Sequence, residues 1–189
     1  HKVVFVLRDP IERFISGFYD RRREGCPRYY SPWSQDEALT FRRFATPNAI
    51  AEGLAGQETE AGAARQGMAS LDRMTQPLSD WLGSADYVMS RRNDILFVGW
   101  QEDLEVDFER LKEMLGLPAA VKLPVDDIEA NRSSDVDRFL SARARATLSS
   151  WFADDYLIIE RCRRAGLLAD SSHGEQGDDP KTADIGRPS

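Results

Sequence analysis

Two residues near the start of the chain have the chemistry of a phosphate site. Arg8 directly follows the apolar run Val3–Leu7, and Ser16 lies eight residues further on. If the run is a strand of a parallel α/β sheet, Arg8 stands at its carboxyl end, where the ligands of such sheets gather. An arginine there can hold a phosphate through two hydrogen bonds, beside the unpaired N–H groups that begin the next helix. The pattern predicts an anion site at Arg8, with Ser16 about 10 Å along that helix.

The same residues also have an interpretation without a ligand. An Arg-Asp-Pro sequence after a strand can be a solvated turn, and a helix serine is often only a small residue facing a neighbouring element. Residue types and spacing leave both interpretations open.

The other reactive residue types indicate no second kind of site. The two histidines, His1 and His173, lie at the terminus and in a polar segment, so they form no metal-ligand cluster. Cys26 and Cys162 are too few and too far apart for a disulfide framework, and we predict two free thiols.

The composition is that of one globular domain. The chain has 189 residues, of which 41% are hydrophobic, and a net charge of −7. That charge argues against a general binder of nucleic acid or membrane surfaces, and no apolar run reaches the ~18 residues of a membrane span. We predict a domain over residues 1–168 and a disordered polar tail over 169–189.

The elements that would position Arg8 can be read on either side of it. The β-branched run before it predicts a strand buried on both faces. Asp9 is a good N-cap, Pro10 suits the first helical position, and Glu12 has the spacing of a capping box. The buried face of the helix is predicted to carry Ile11, Phe14, Ile15, Phe18 and Tyr19.

A second apolar run, residues 95–99, is also followed at once by a helix signal. We predict that this helix turns Leu104, Phe108, Leu111 and Leu115 inward and ends at Gly116 in the left-handed conformation. Glu102 and Asp103 could form an acid–base pair, but their place at a helix start favours capping. Two such units predict an α/β fold in which the two runs are neighbouring parallel strands with helices on both faces.

The rest of the chain carries mainly helix signals. Ser34 and Glu37 form a capping box, Thr46-Pro47 starts another helix, and residues 25–34 are predicted to be an ordered loop. Further helices are predicted at 61–74, 78–82 and 137–165. In the last, the expected core residues are Phe139, Leu140, Leu148, Trp151, Phe152, Tyr156 and Ile159.

Residues 7–19, LRDPIERFISGFY, resemble the 3′-phosphate-binding motif of sulfotransferases, in the Arg-Asp-Pro variant of the carbohydrate-type branch. Three later segments resemble that branch in the expected order: residues 97–118, the Asn131-Arg132-Ser133 segment of a closing loop, and the helix WFADDYLIIERC at 151–162. The resemblance covers roughly residues 3–165.

The resemblance implies a P-loop-like three-layer fold with a central parallel sheet flanked by helices. It implies transfer of a sulfuryl group from 3′-phosphoadenosine 5′-phosphosulfate to an acceptor hydroxyl, with a saccharide as the favoured acceptor and no metal. Arg8 and Ser16 would hold the 3′-phosphate, and Arg132 would reach it from the closing loop. Trp100 and Gln101 would neighbour the adenine. The resemblance assigns no catalytic base in this chain.

One element of the family is missing from the sequence. In sulfotransferases, a strand-loop-helix that holds the 5′-phosphosulfate precedes the 3′-phosphate motif, and we expect the fold to be incomplete at its N-terminus and the chain to be inactive on its own. Two alternatives stay open: a non-catalytic nucleotide-binding remnant, and another phosphoryl-transfer enzyme such as a nucleotide kinase. The kinase would need a Gly-Lys-Ser or Gly-Lys-Thr loop, which the sequence lacks.

The sequence gives one indication of compartment. Without evident paired cysteines, a cytoplasmic enzyme is favoured over the lumenal domain of a membrane-tethered one.

Overall fold

The computed structural model of the chain describes residues 1–124 and 137–168. Two strands and ten α-helices follow one another within those residues, with short 3-10 turns before and after the second strand. The elements are β1 Val3–Leu7, α1 Pro10–Arg22, α2 Gln35–Arg43, α3 Pro47–Leu54, α4 Glu58–Ser70, α5 Asp72–Thr75, α6 Ser79–Leu82, α7 Ala85–Ser90, β2 Ile95–Trp100, α8 Leu104–Leu115, α9 Ala142–Trp151 and α10 Ala153–Arg164.

Strands β1 and β2 are parallel neighbours, which confirms the predicted pairing. Val3 is paired with Ile95, and Leu7 is paired with Trp100. The carboxyl ends of both strands therefore lie at one edge, which brings Arg8 beside the segment after Trp100. Over residues 1–124 and 137–168 the sheet has these two strands alone, and the fold is a helix-rich mixed α/β fold.

Helix α1 begins where the sequence predicts. Oδ1 of Asp9 accepts hydrogen bonds from the N–H groups of Ile11 (2.9 Å) and Glu12 (3.0 Å), and Pro10 is the first helical residue. The predicted capping box is wrong in its second half, because the Glu12 carboxylate pairs with Arg138 instead.

A helical core forms around α1. Helix α2 starts with the predicted capping box of Ser34 and Glu37, and α3 starts with Thr46 as its N-cap. The apolar faces of α1 to α4 and α9 meet in one cluster, where each fully buried large side chain contributes about 1.5–3 kcal/mol relative to exposure. Its largest fully buried members are Phe14, Phe18, Phe152, Ile11, Ile15, Ile50, Met68, Leu71 and Leu148.

A second core lies between the sheet and α10. Leu7 and Trp100, which are paired across the sheet, share this cluster with Ile158 and Ile159 of α10. Cys162 is buried in the same cluster; it and the exposed Cys26 are both free thiols, as predicted.

The prediction that β1 is buried on both faces is wrong. Val3, Val4 and Val6 are 47%, 41% and 46% exposed, whereas Leu7 is buried. Apolar character along a strand indicates the capacity for burial; the described residues supply a covering layer only on the side of Leu7.

The predicted inward face of α8 is also wrong in part. Leu104, Phe108 and Leu111 are half-buried and Leu115 is exposed, while Asp107 and Lys112 are buried. These two polar side chains turn inward because they satisfy backbone groups: Asp107 accepts from the N–H of Trp100 (2.7 Å), and Lys112 donates to a loop carbonyl. Gly116 ends the helix at φ +64°, as predicted.

Smaller differences concern the helical segments. Phe139 and Trp151 are exposed rather than in the core, and the short helix α7 was not predicted. Helices α9 and α10 confirm the helical prediction for 137–165. None of the described helices is long and apolar enough to span a membrane. The predicted tail at 169–189 lies outside the described residues, and the domain boundary stays a prediction.

Candidate functional site

Arg8 lies at the carboxyl edge of the sheet, as predicted. It follows the last residue of β1, and its Nε atom lies 3.4 Å from Oε1 of Glu102, in the 3-10 turn after β2. The side chains of Arg8 and Glu102 are 28% and 36% exposed. The parallel register of the strands thus brings together two opposite charges that are far apart in sequence.

The guanidinium of Arg8 keeps its hydrogen-bonding capacity. Nε is buried and has no hydrogen-bond partner in the described part of the chain, since its N–H does not point at the Glu102 oxygen. The contact with Glu102 is therefore an ion pair without a hydrogen bond. An arginine in this state can turn its planar donors to a phosphate without breaking an existing hydrogen bond.

Asp9 removes the other anion-binding group that the sequence suggested. Its Oδ1 occupies the N–H groups of Ile11 and Glu12, so the first turn of α1 offers no free backbone donors at those positions. The prediction of unpaired N–H groups beside Arg8 is wrong for this reason. An anion at this edge cannot use those two N–H groups while Asp9 accepts from them.

The second carboxylate oxygen of Asp9 is also occupied. The hydroxyl of Tyr156 in α10 donates to Oδ2 over 3.0 Å. Burial raises the pKa of Tyr156, and the neighbouring Asp9 carboxylate raises it further, so the phenol stays protonated and remains a donor. With both oxygens of Asp9 engaged, Glu102 is the acid that pairs with Arg8.

Ser16 lies in α1, partly exposed and off the buried face. Its hydroxyl has no hydrogen-bond partner within residues 1–124 and 137–168. From Asp9 to Ser16 the helix rises about 10 Å, and no hydrogen bond joins Ser16 to Arg8. The structure leaves both side chains available but does not bring them into contact, because Ser16 lies in the middle of α1 and Arg8 precedes its first residue. Arg132, the third predicted site residue, lies outside the described residues.

Arg13 occupies a structural position that the sequence did not reveal. Its Nη2 donates to Asp155 (2.8 Å) and to the carbonyl of Gln76 (2.9 Å), and the guanidinium lies 5.6 Å from the ring of Trp81. Asp155 also accepts from the N–H of Leu78 (2.7 Å) and is fully buried. Burial raises the pKa of Asp155, although Leu78 and Arg13 oppose that shift.

Two consecutive residues of α10, Asp155 and Tyr156, therefore hold the first turns of α1 in place. Neither was singled out as a site residue from the sequence. The signal that could have found them is the pair of polar residues in an otherwise apolar face of a helix, because buried polar groups need partners.

The expected capping role of Glu102 and Asp103 is wrong. Neither the 3-10 turn nor α8 has a side-chain cap, and Glu102 faces Arg8 instead. Burial raises the pKa of Glu102, while Arg8 lowers it. Next to it, Trp100 is covered by the guanidinium of Arg163, whose Cζ atom lies 4.9 Å from the ring centroid.

The arrangement at the sheet edge suits anion binding. Among the described residues, no group of three or more His, Cys, Asp or Glu side chains could hold a metal ion. Arg8 at the sheet edge and Ser16 in the middle of α1 can each donate hydrogen bonds to a phosphate.

Comparisons with known proteins give one finding. A family model described as "Sulfotransferase family" matches residues 1–159, which include both strands, α1 and the first half of α10. No curated protein and no solved structure matches the chain.

Proposed function

Because the chain belongs to the sulfotransferase family, an enzyme family that transfers sulfuryl groups, we propose that its donor is 3′-phosphoadenosine 5′-phosphosulfate and that its acceptor is a saccharide hydroxyl. In this reaction the acceptor oxygen bonds to sulfur, the bond from sulfur to the 5′-phosphate breaks, and adenosine 3′,5′-bisphosphate leaves. The acceptor proton passes to a base, which is not assigned to a residue of this chain.

The observation that carries the proposal is the state of Arg8. It stands at the carboxyl edge of a parallel sheet with a buried Nε and no hydrogen bond to any described residue. The structural arginines of this chain donate at least part of the guanidinium to carboxylates or carbonyls, as Arg21 does to Glu37 and Arg13 does to Asp155. Arg8 instead has a buried Nε donor that a bound anion would satisfy.

The roles follow from the number of hydrogen bonds each side chain can form. Arg8 would hold the 3′-phosphate through two donors, and Ser16 would add one from the next turns of α1. Arg132 would contribute from the closing loop. The site would use these side chains because Asp9 occupies the first backbone N–H groups of α1.

We also infer that the complete fold is P-loop-like, with helices on both faces of a parallel sheet. The support is the parallel β1–β2 pair and the core that α10 forms on one side of it. The exposed valines of β1 are the surface that a second helical layer would cover. An experimental structure of the active enzyme in which Val4 and Val6 remain solvent-exposed would contradict this inference.

Isothermal calorimetry with adenosine 3′,5′-bisphosphate tests the donor site. Arg8→Ala should weaken binding by about 1.5–3 kcal/mol, or roughly 10- to 150-fold, because a hydrogen-bonded charge is lost. Ser16→Ala should have a smaller effect. Arg28→Ala is the matched control, since it removes an exposed arginine for which the structure shows no partner in the described residues.

Adenosine 5′-monophosphate separates the 3′-phosphate from the rest of the ligand. It should bind the wild type and Arg8→Ala with similar affinity, because it lacks the group that Arg8 holds. Equal affinity of the two proteins for the bisphosphate would overturn the assignment of Arg8.

Transfer of labelled sulfate to a panel of saccharides, tyrosine peptides and lipid headgroups tests the acceptor class. The assay needs a protein that includes the family's 5′-phosphosulfate segment, because this chain is expected to be inactive on its own. Saccharide labelling is the expected result, and labelling of another class alone would replace the proposed acceptor. We further propose a cytoplasmic location, because the free thiols of Cys26 and Cys162 suit a reducing compartment. Fractionation of cells that express the protein, with detection in a secretory compartment, would contradict that.

A further inference from the structure

The acid that faces Arg8 lies at the Nε side of the guanidinium, one of the edges through which an arginine can hold an anion. Glu102 lies 3.4 Å from Nε of Arg8, and it comes from the turn after β2 rather than from the motif that contains Arg8. Only the pairing of the two strands brings these residues together. A phosphate bound to Arg8 would lie close to the Glu102 carboxylate, and two anions at such a distance repel each other.

Glu102 is held less firmly than the other acid near Arg8. Its carboxylate is engaged by Arg8 and by its own backbone N–H, and the ion pair leaves Nε of Arg8 without a well-directed hydrogen bond. Asp9, the other acid near it, is fixed on both oxygens by the α1 cap and by Tyr156. Of the two acids around Arg8, Glu102 is thus the one that an incoming anion can displace.

We propose that Glu102 is a competing carboxylate of the donor site: it pairs with Arg8 when the site is empty, and it must withdraw or take up a proton when the 3′-phosphate binds. This inference rests on the proposed donor function of Arg8. It makes Glu102 a residue that sets donor affinity and its dependence on pH, without contacting the reacting atoms.

The pH dependence has a definite sign. Arg8 and Asp9 are the charged groups that face Glu102: Arg8 favours its ionised form, and Asp9 and burial favour its protonated form. Protonation removes the competitor, so bisphosphate binding should be accompanied by proton uptake, and affinity should rise as pH falls towards the pKa of Glu102. The phosphate itself, with a second pKa near 6, loses charge in the same direction and opposes the rise. Comparison with a variant separates the two effects.

The decisive experiment is calorimetry of the whole chain with adenosine 3′,5′-bisphosphate from about pH 5 to pH 8, in buffers of different ionisation enthalpy. Glu102→Gln should bind about three- to tenfold more tightly than wild type at pH 7, a factor in keeping with removal of one partly exposed ion pair and one repulsion. Its proton uptake should be lower than that of the wild type. If Glu102 acted on stability alone, Glu102→Gln would change neither the affinity for the bisphosphate nor the number of protons taken up on binding.

The matched control is Asp103→Asn, which removes one negative charge from the neighbouring residue. Asp103 forms no ion pair or cap in the described structure, so its loss should change affinity less than twofold. If Glu102→Gln does not fold, Glu102→Asp shortens the side chain and should also tighten binding while it keeps the proton uptake.

The outcomes distinguish this inference from the donor assignment itself. Weaker binding in Arg8→Ala with unchanged or weaker binding in the Glu102 variants would overturn the competitor role and leave the donor site standing. Unchanged binding in Arg8→Ala would overturn the donor assignment and the competitor role with it. Equal tightening by Asp103→Asn would also reject the specific role, because it would show a general effect of charge.

Discussion

Loss of the Asp155 carboxylate should destabilise the protein more than any other single change considered for this fold. Asp155 accepts hydrogen bonds from Arg13 (2.8 Å) and from the N–H of Leu78 (2.7 Å), and none of its side chain is exposed. Asp155→Ala would therefore leave two buried donors, Nη2 of Arg13 and the N–H of Leu78, without their shared acceptor.

The magnitude follows from the group left behind. The side chain of Arg13 is only 16% exposed, and its Nε and Nη1 atoms already lack partners in the described structure. Without Asp155 it would keep one hydrogen bond, to the carbonyl of Gln76. Breaking a buried ion pair from one side typically costs about 3–5 kcal/mol. For a chain of 189 residues, that corresponds to a fall in Tm of roughly 6–20 °C.

Urea denaturation of the wild type, Asp155→Ala, Arg13→Met and the double variant measures this cost. We expect each single change to lower the free energy of unfolding by several kcal/mol and the double variant to recover about 2 kcal/mol of the summed loss, because residues in one buried network couple by up to ~3 kcal/mol. A loss below about 1 kcal/mol for Asp155→Ala, or additive effects in the double variant, would refute the reasoning.

Three further predictions concern stability, each checked by denaturant or acid titration. Gly62→Ala should stabilise by about 0.4–1 kcal/mol, whereas Gly116→Ala should destabilise by about 1 kcal/mol: both sites have room for a methyl group, but Gly116 has φ +64°. If both glycine substitutions changed the free energy of unfolding in the same direction, this prediction would be contradicted. Ser141→Ala should cost about 1 kcal/mol, since its hydroxyl caps α9; an unchanged midpoint would contradict it. Burial acts to raise the pKa of Glu37, but hydrogen bonds from Arg21 and a backbone N–H outweigh it and lower the pKa. The stability that ionised Glu37 contributes is complete above the pKa of the unfolded state and is lost as pH falls through the lower pKa of the folded state. Glu37→Gln should therefore show a shallower acid transition, and an unchanged slope would contradict this.

Local signals in the sequence predicted the elements that meet at the site. The apolar run of β1 and the cap formed by Asp9 and Pro10 fixed the position of Arg8 within one residue of where the structure has it. The capping box at Ser34 and the stop at Gly116 were equally readable, because each depends on residues within one turn. Helix α7, with six residues, was too short to show a period.

The partners of the site residues were not predictable in the same way. Glu102 faces Arg8 because of the register between β1 and β2, and the sequence near either residue carries no information on that register. The inward positions of Asp107 and Lys112 in α8 were not predicted, because hydropathy gives no sign that a charged residue will serve a backbone group nearby. Tertiary hydrogen bonds decided each of these positions.

The pairing of Leu7 with Trp100 has a consequence for how the protein folds. Seven of the ten described helices lie between the two strands in the chain. The pairing of the strands therefore closes a long loop and joins residues that are far apart in sequence. Such contacts form late in folding, because the intervening chain must lose conformational entropy before the contacts can stabilise the fold. Helices with their own caps can form earlier, but Arg8 reaches the end of β2 only when the strands join. A nucleotide that binds at this edge therefore binds only the completely folded chain. Its binding shifts the folding equilibrium towards that state by mass action.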